Sequence, residues 1–195
     1  MKTIGITGGI GSGKTTCCRI FETLGIPVYY ADARAKKLMT SDKLLKAQIK
    51  DLLGKESYFR NGRLNRGFIA SQIFNNKSLL KKMNVLVHPA VGRDVIRWAM
   101  KQTADYVMYE AALLVENGSY KNFTKLIVVS CPKEERIRRV TARDGTTVKE
   151  VKARMRNQLA EEKKIAVADY VINNDGHEML IPQIMKIHEK IMVLS

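Results

Sequence analysis

The segment "GGIGSGKT" at residues 8–15 constrains the fold of this chain more than any other feature. It fits the pattern G-x-x-x-x-G-K-[ST], with Gly8 and Gly13 at the glycine positions and Lys14 and Thr15 after them. A short apolar strand pattern precedes the segment and a helical pattern follows it. In that context the motif indicates a phosphate-binding P-loop. The glycines do not supply G-x-G-x-x-G, so their spacing argues against a dinucleotide site.

The P-loop pattern also indicates which atoms contact phosphate. Successive backbone N–H groups and the N-terminus of the following helix face the anion. Lys14 is expected to reach the β and γ oxygens, and the Thr15 hydroxyl is expected to bind Mg²⁺. The candidate nucleotide-binding residues are therefore Gly9, Ile10, Gly11, Ser12, Gly13, Lys14, Thr15 and Thr16.

Alternating strand and helix patterns predict an α/β fold. Apolar runs occur at "KTIGIT", "IPVYYAD", "DYVMYEAALLVE", "KLIVVSC" and "ADYVINND". Helical patterns separate them, so we expect a five-stranded parallel sheet flanked by helices. Residues 3–32 form a strand–loop–helix–strand unit whose second strand is expected to end at Asp32.

Two long helical segments interrupt the strand pattern and suggest the domain organisation. Residues 33–102 predict a helical insertion with pieces such as "GFIASQIF", and Pro89 is expected in the first turn of a helix after His88. Residues 133–166 are helical and highly charged, and Gly145 divides them into two arms. The remaining ranges, 1–32, 103–132 and 167–195, are assigned to a nucleotide-binding core.

Composition narrows the class of partner. Lys plus Arg is 34 against 19 for Asp plus Glu, a net charge of +15 that favours anionic partners. These could be phosphorylated metabolites or nucleic acid, or the charge could be a solvated basic surface. No basic run with interleaved aromatic residues and no zinc-finger or RNP signature occurs, so we expect no nucleic-acid partner.

The same reading suggests a cytosolic protein. No run of about 18 apolar residues occurs and the N-terminus lacks the apolar stretch of a signal peptide, so we expect a cytoplasmic protein without a membrane span. The cysteines number three and include no Cys-x-x-Cys pair, which argues against disulfides or a zinc site.

Three carboxylates stand where strands are expected to end. Glu110 follows "YVMY" and is the candidate that holds Mg²⁺ through water, with a solvated loop carboxylate as the alternative. Glu116 could instead orient the substrate region. Asp32 is expected beside the P-loop, where it could accept a proton from an attacking hydroxyl or help hold Mg²⁺, unless it only caps the next helix.

A group of arginines supplies cations for the transferred phosphate. Arg136, Arg139 and Arg143 are spaced three and four apart and share one face of a helix, with Arg138 nearby. Such a row suits a mobile lid that neutralises charge in the transition state, or else a solvated helix paired with neighbouring glutamates. The absence of an Asn-Lys-x-Asp segment argues against a GTPase, so phosphoryl transfer to a small acceptor is favoured.

The ordered set of motifs resembles the dephospho-coenzyme A kinase family nearly end to end. The resemblance rests on "GITGGIGSGKTT", "GIPVYYADARAKKL", "NGRLNR", "VHPAV", "AALLVENGSY", "RRVTARDG", "RMRNQ" and "ADYVINNDG". It implies a kinase that uses ATP and Mg²⁺ to phosphorylate the 3′-hydroxyl of the ribose of dephospho-coenzyme A. It also implies that 33–102 is the acceptor-binding domain and that 133–166 is the lid.

The resemblance further implies roles for individual residues. Asp32 matches the catalytic base, which Lys14 and Arg139 assist. The nucleotide is then also contacted by Arg143, Asn174 and Gly176. The acceptor side comprises Asp32, Arg66, His88, Leu113 and Glu116, and the metal side Thr15 and Glu110.

The chain departs from the family pattern at three places. Tyr30 stands where the family often has Asp, Ala112 where it has Pro, and Asn65 where Asp is common. Each change could shift acceptor affinity. A kinase for another nucleotide or nucleoside stays open at this point, as does a monomer or a weak homo-oligomer.

Overall fold

The fold was analysed in a computed structural model, which describes residues 1–73 and 76–194. The chain divides into two compact units. The first, here called the core unit, comprises Met1–Tyr30 and Gln102–Ser195. The second, here called the helical unit, comprises Ala31–Lys101. Each unit is described by itself.

A five-stranded sheet forms the centre of the core unit. Its strands are β1 (Lys2–Thr7), β2 (Val28–Tyr30), β3 (Tyr106–Glu110), β4 (Lys125–Ser130) and β5 (Tyr170–Asn173). All neighbouring pairs are parallel and the strand order is β2-β3-β1-β4-β5. The predicted five-stranded parallel sheet flanked by helices is therefore confirmed.

Both faces of this sheet carry buried apolar residues at alternating strand positions, as is expected of a parallel sheet. One face carries Ile4, Ile6, Met108 and Ile127 and packs with buried residues of two helices, which include Phe21. The opposite face carries a smaller cluster of buried residues, Leu114, Leu126 and Val128. The three cysteines are buried and free.

Helices connect and follow the strands of the core unit along the chain. They are α1 (Lys14–Thr23), α6 (Lys133–Asp144), α7 (Val148–Met155), α8 (Glu161–Ile165) and α9 (Leu180–Met192). Gly145 ends α6 in the left-handed conformation with φ 61°, which is the predicted break between two helical arms. Thr147 and Glu150 form a reciprocal capping box at the start of α7.

The helical unit contains α2 (Ala31–Ser41), α3 (Lys43–Leu53), α4 (Arg66–Ile73) and α5 (Lys77–Ala99). α5 packs against α2, α3 and α4. The Arg34 guanidinium on α2 binds both carboxylate oxygens of Asp94 on α5 at 2.8 Å, a bidentate pair that fixes the two helices together. Among the described residues, no helix is long and apolar enough to span a membrane.

The prediction that the second strand ends at Asp32 is wrong. β2 ends at Tyr30, and Asp32 lies in the first turn of α2. A carboxylate is favoured there because the N-terminus of a helix carries partial positive charge. The strand order also places β3 between β1 and β2, so β2 is not the direct neighbour of the strand that leads into the P-loop.

The prediction that Pro89 begins a helix is also wrong. Pro89 lies inside α5, which runs without a break from Lys77 to Ala99. Proline has no N–H to donate to the carbonyl four residues earlier, so the helix loses one hydrogen bond there, and packing against three other helices offsets that loss. Of the predicted helical piece at residues 67–74, Phe74 lies outside the described residues.

Candidate active site

The glycine-rich segment forms a loop between β1, which ends at Thr7, and α1, which begins at Lys14. Gly11 and Gly13 have φ angles of 80° and 92°, a region that side chains disfavour, so the loop can turn tightly at both positions. The Lys14 ammonium donates to the carbonyl oxygens of Gly8 at 3.0 Å and Gly9 at 3.4 Å. The Lys14 side chain therefore lies across the loop, and its ammonium group could contact an anion bound there.

Two side chains from other parts of the core unit hold the loop backbone. Gln158, in the link between α7 and α8, accepts the Ile10 N–H through Oε1 at 2.9 Å. Asn174, just after β5, donates to the Ser12 carbonyl at 2.8 Å. The Ser12 hydroxyl is buried and has no hydrogen-bond partner among the described residues. A loop fixed in this way, with an unused hydroxyl, has the form of a preorganised anion cradle.

Arg139 lies next to this cradle. Its Nη1 is 3.9 Å from the position that a Cβ on Gly13 would take, and its Nε donates to Glu135 at 2.7 Å. Hydrogen bonds from Arg138 and then Arg139 lower the pKa of Glu135 to about 2. The Glu135 carboxylate therefore stays charged at neutral pH and keeps the Arg139 guanidinium in place.

Arg143, one turn further along α6, has a different environment. Its side chain is 62% exposed and pairs with Asp144 at 2.7 Å. Asp144 also accepts from Arg154 on α7 at 3.0 Å, and hydrogen bonds from Arg143 and then Arg154 lower its pKa to about 2. Asp144 thus joins the two arms of the charged segment, and the predicted contact of Arg143 with nucleotide stays a prediction.

The metal candidates are Glu110, at the carboxyl end of β3, and Thr15, on the helix that follows the P-loop. Glu110 ends β3, is 8% exposed and stands in register with Ile6 of β1. Burial, and then the nearby Glu110 carboxylate, raises the pKa of the Cys18 thiol on α1, so Glu110 lies close to that helix. Thr15 occupies the first turn of the same helix. Their hydroxyl and carboxylate oxygens are of the kind that Mg²⁺ prefers.

Glu116 forms a buried ion pair that the sequence pattern did not indicate. Its Oε1 lies 2.6 Å from the ammonium of Lys164, whose side chain is 1% exposed, and accepts the Leu159 N–H at 3.1 Å. The carboxylate therefore ties the segment after β3 to α8 and to the link before it. Its predicted contact with the acceptor stays a prediction. Leu113, three residues earlier, is 45% exposed.

A cavity of about 890 Å³ opens where β4 and β5 end. Its wall includes Arg136, Gln158 and Asn174, the last two of which hold the P-loop backbone. Pockets of several hundred Å³ suit small-molecule ligands. Gly176, with φ 93°, shapes the turn after β5 two residues beyond Asn174.

The other candidates lie in the helical unit. Asp32 is exposed in the first turn of α2 and His88 is exposed within α5. Arg66 lines a cavity of about 790 Å³ with Arg63 and Phe59. Among the described residues, neither arginine has a carboxylate partner. Two unpaired guanidinium groups around one cavity favour an anionic ligand.

Residues outside the candidate set complete the surroundings of the P-loop. Arg136 belongs to the arginine row but had no separate role assigned from the sequence, and Gln158 lies in the motif "RMRNQ" without an assigned role. Glu161 and Lys164 carried no signal in the sequence. Their partners are 25 to 48 positions away, so only the fold could reveal those contacts.

The sheet order, the glycine loop between the first strand and a helix, and the cations around that loop define a P-loop kinase fold. A solved dephospho-CoA kinase from Campylobacter jejuni shares the fold, with a TM-score of 0.64 and 24% identity over 97% of each chain. The crystal structure of TT1252 from Thermus thermophilus superposes with a TM-score of 0.89 at 33% identity, covering 100% of this chain and 98% of that one.

Sequence comparison then specifies the family. The family profile for dephospho-CoA kinase matches residues 2–179. A dephospho-CoA kinase from Salinibacter ruber is 40% identical over 180 residues, which are 90% of this chain and 90% of the relative. The chain belongs to the dephospho-CoA kinase family.

Proposed function

We propose that this protein transfers the γ-phosphoryl group of ATP to the 3′-hydroxyl of the ribose of dephospho-CoA, giving CoA and ADP. Its family acts as phosphotransferases on an alcohol acceptor in the last step of CoA biosynthesis. The observation that carries the proposal is the P-loop itself, with Lys14 across it and Arg139 beside Gly13. Positioning and charge stabilisation of this kind account for most catalysis of phosphoryl transfer.

The reaction requires one bond to form as another breaks. The ribose 3′-oxygen forms a bond to the γ-phosphorus, the bond from that phosphorus to the β,γ-bridging oxygen breaks, and ADP leaves with the electron pair. The hydroxyl proton goes to Asp32 as general base. In support, Asp32 follows the last residue of β2 by two positions in the chain, and open α/β folds bind ligands beyond the carboxyl ends of their strands.

The cations of the P-loop and of α6 match the charge of the donor. Backbone N–H groups of the loop and Lys14 would hold the β and γ oxygens, and Arg139 would stabilise the charge on the transferred group. Arg143 would join them once released from Asp144. Asn174 lines the cavity that would take the nucleoside, and Gly176 lies two residues further along the same turn.

Thr15 in α1 and Glu110 at the end of β3 fit Mg²⁺. The Thr15 hydroxyl would bind the ion directly and Glu110 would bind it through water. Among the described residues no group of three or more His, Cys, Asp or Glu could hold a metal. Mg²⁺ suits such a site because it keeps several waters and takes phosphate oxygens as ligands. When bound, the ion neutralises charge on the β and γ phosphates.

The helical unit would hold the acceptor, with 33–102 as its domain and 133–166 as the lid. Arg63 and Arg66 around the 790 Å³ cavity offer guanidinium groups to the diphosphate of dephospho-CoA, and the exposed ring of Phe59 offers an apolar surface. His88 is a further acceptor candidate in this unit, and Leu113 and Glu116 are the acceptor candidates of the core unit. The protein would act in the cytoplasm as a monomer or weak homo-oligomer without nucleic acid.

A coupled assay of ADP release tests the proposal. Purified protein with ATP and Mg²⁺ is given dephospho-CoA, adenosine or a nucleoside monophosphate in parallel. Release is expected to exceed background with dephospho-CoA and to be far slower with the others. Faster release with another nucleoside or nucleotide would assign the same fold to a different acceptor.

A further inference from the structure

Gly9 in the P-loop is a glycine for a reason other than its backbone conformation. Its φ angle lies outside the left-handed region, unlike those of Gly11 and Gly13. A Cβ placed on Gly9 would instead overlap Nη1 of Arg136 and lie 2.9 Å from its Cζ. The space that a side chain would need is occupied by the guanidinium group of Arg136.

Arg136 reaches this position from the first turn of α6, and Glu161 holds it there. Nη1 of Arg136 lies 3.5 Å from Oε2 of Glu161, the first residue of α8. The other carboxylate oxygen, Oε1, accepts hydrogen bonds from the Ser130 hydroxyl and, at 2.9 Å, from the Cys131 N–H at the end of β4. The carboxylate is thus fixed to the sheet and orients the arginine.

The backbone of Arg136 also packs against the loop. A Cβ on Gly11 would lie 2.7 Å from the Arg136 carbonyl oxygen. Two neighbouring glycines of the P-loop therefore make room for the same residue, one for its side chain and one for its main chain. Together they allow α6 to approach the phosphate cradle closely.

The charge of Arg136 is only partly compensated. Its side chain is 12% exposed, its single ion-pair contact is at 3.5 Å, and its Nε is buried without a hydrogen-bond partner among the described residues. A buried charge with incomplete pairing destabilises a fold, so stability alone does not explain its presence. It lies instead against the loop that is proposed to bind phosphate, where an added cation favours a bound anion.

We propose that Arg136 is a positioning residue for the donor phosphates. It braces the P-loop at Gly9, Glu161 orients its guanidinium, and Gly9 lacks a side chain in order to admit it. This inference rests on the proposed function only in taking ATP as the ligand of the loop. It makes no assumption about the acceptor.

A double-mutant cycle on ATP affinity tests whether Gly9 and Arg136 are coupled in ATP binding. Gly9→Ala, Arg136→Ala and the double variant are titrated calorimetrically with ATP and, to isolate the phosphates, with tripolyphosphate. Gly9→Ala is expected to weaken ATP binding about tenfold or more, since coupled residues in contact interact on that scale. The double variant is expected to bind no more weakly than Arg136→Ala, because the added methyl then has room.

Two outcomes would overturn the proposal. One is a double variant whose loss equals the product of the two single losses. The other is Gly9→Ala with wild-type affinity. Gly92→Ala is the matched glycine control, since nothing lies within 4 Å of a Cβ placed there. Arg19→Ala is the matched arginine control, because Arg19 is exposed on α1 and forms no ion pair among the described residues.

Two further measurements separate positioning from plain stability. The melting temperature of each variant without ligand shows whether that variant is folded. If Arg136 had only a structural role, Arg136→Ala would lower the melting temperature but would leave the ATP affinity of the folded protein unchanged. Glu161→Gln keeps acceptors for Ser130 and Cys131 but removes the charge that orients Arg136. Glu161→Gln is expected to weaken ATP binding in the wild-type background and to have no further effect in the Arg136→Ala background. A loss of the same size in both backgrounds would contradict the assigned role of Glu161.

The experiments distinguish a wrong role for Arg136 from a wrong acceptor. Wild-type protein that binds ATP but does not phosphorylate dephospho-CoA would contradict the acceptor and leave the brace intact. An active kinase whose Gly9 and Arg136 variants behave independently would contradict the brace and leave the function intact.

Discussion

The side-chain amide of Asn174 donates a hydrogen bond to the Ser12 carbonyl oxygen over 2.8 Å, joining the end of β5 to the P-loop. A Cβ on Gly13 would overlap the same amide nitrogen. The last glycine of the motif therefore serves two purposes, because it turns with positive φ and leaves space for Asn174. The phosphate cradle is held in shape by a residue that is 162 positions from it in sequence.

Replacing Asn174 by alanine is expected to weaken ATP binding about 2- to 10-fold. A typical hydrogen bond contributes about 0.5–1.5 kcal/mol, and here it fixes the loop that holds the phosphates. Calorimetric titration with ATP measures the effect. Asn122→Ala is the matched control, because Asn122 is exposed in the core unit and does not line the cavity. Equal losses in the two variants would contradict a specific role for Asn174.

The buried pair of Lys164 and Glu116 is expected to stabilise the core unit strongly. Lys164→Met leaves a carboxylate with 14% side-chain exposure without its cation, and breaking a buried pair in this way costs about 3–5 kcal/mol. The double variant Lys164→Met/Glu116→Leu is expected to lose much less. Urea unfolding gives the free energies, with the exposed neighbour changed in Lys163→Met as the control. A single variant as stable as that control would refute the prediction.

Acid is expected to loosen α6 through Glu135. The pKa of this carboxyl is about 2 in the folded protein against 4.5 ordinarily, so the unfolded chain binds the proton first as pH falls. The stabilisation from Glu135 is therefore complete above about pH 4.5 and disappears as the pH approaches 2. The difference in melting temperature between wild type and Glu135→Gln should be constant from pH 8 to 5 and shrink from pH 4.5 to 3.

Glu134→Gln is the control for that experiment. Glu134 lies in the same turn of α6 and forms no side-chain hydrogen bond or ion pair among the described residues. Its substitution should shift the melting temperature little at any of these pH values. A Glu135→Gln difference that is the same at pH 7 and pH 3 would show that the carboxylate is not held by Arg138 and Arg139.

Asp32→Asn is expected to reduce turnover by about 10²-fold or more while ATP affinity stays near that of wild type. General base catalysis typically contributes 10²–10⁴-fold, and asparagine keeps the size of the side chain without its basicity. Initial rates at saturating ATP and dephospho-CoA, together with ATP titration, separate the two effects. Asp51→Asn, an exposed carboxylate of the same unit, is the control. Near-normal turnover would leave Asp32 as a helix-start residue only.

The sheet could be predicted from the sequence because its signals are local. Each strand is a short apolar run, and the motif around Gly8 and Lys14 both places a strand before it and a helix after it. The end of β2 was harder, since "YYAD" suits a strand or a helix start. The favourable charge of Asp32 at a helix N-terminus decided the boundary.

The surroundings of the P-loop could not be predicted in the same way. Contacts of Gln158 with Ile10 and of Arg136 with Gly9 join segments more than 100 residues apart, and no local pattern encodes them. Pro89 illustrates the opposite limit. A strong local preference for a helix start was overridden by the packing of α5 against three other helices.

The proposed reaction is tested most directly by locating the new phosphate in the product. Purified protein is incubated with ATP, Mg²⁺ and dephospho-CoA, and the product is analysed by mass spectrometry and phosphorus NMR. The expected product is CoA, with a single added phosphate on the 3′-oxygen of the ribose, formed in equal amount with ADP. A phosphate on any other oxygen, or ADP formed without a phosphorylated acceptor, would contradict it.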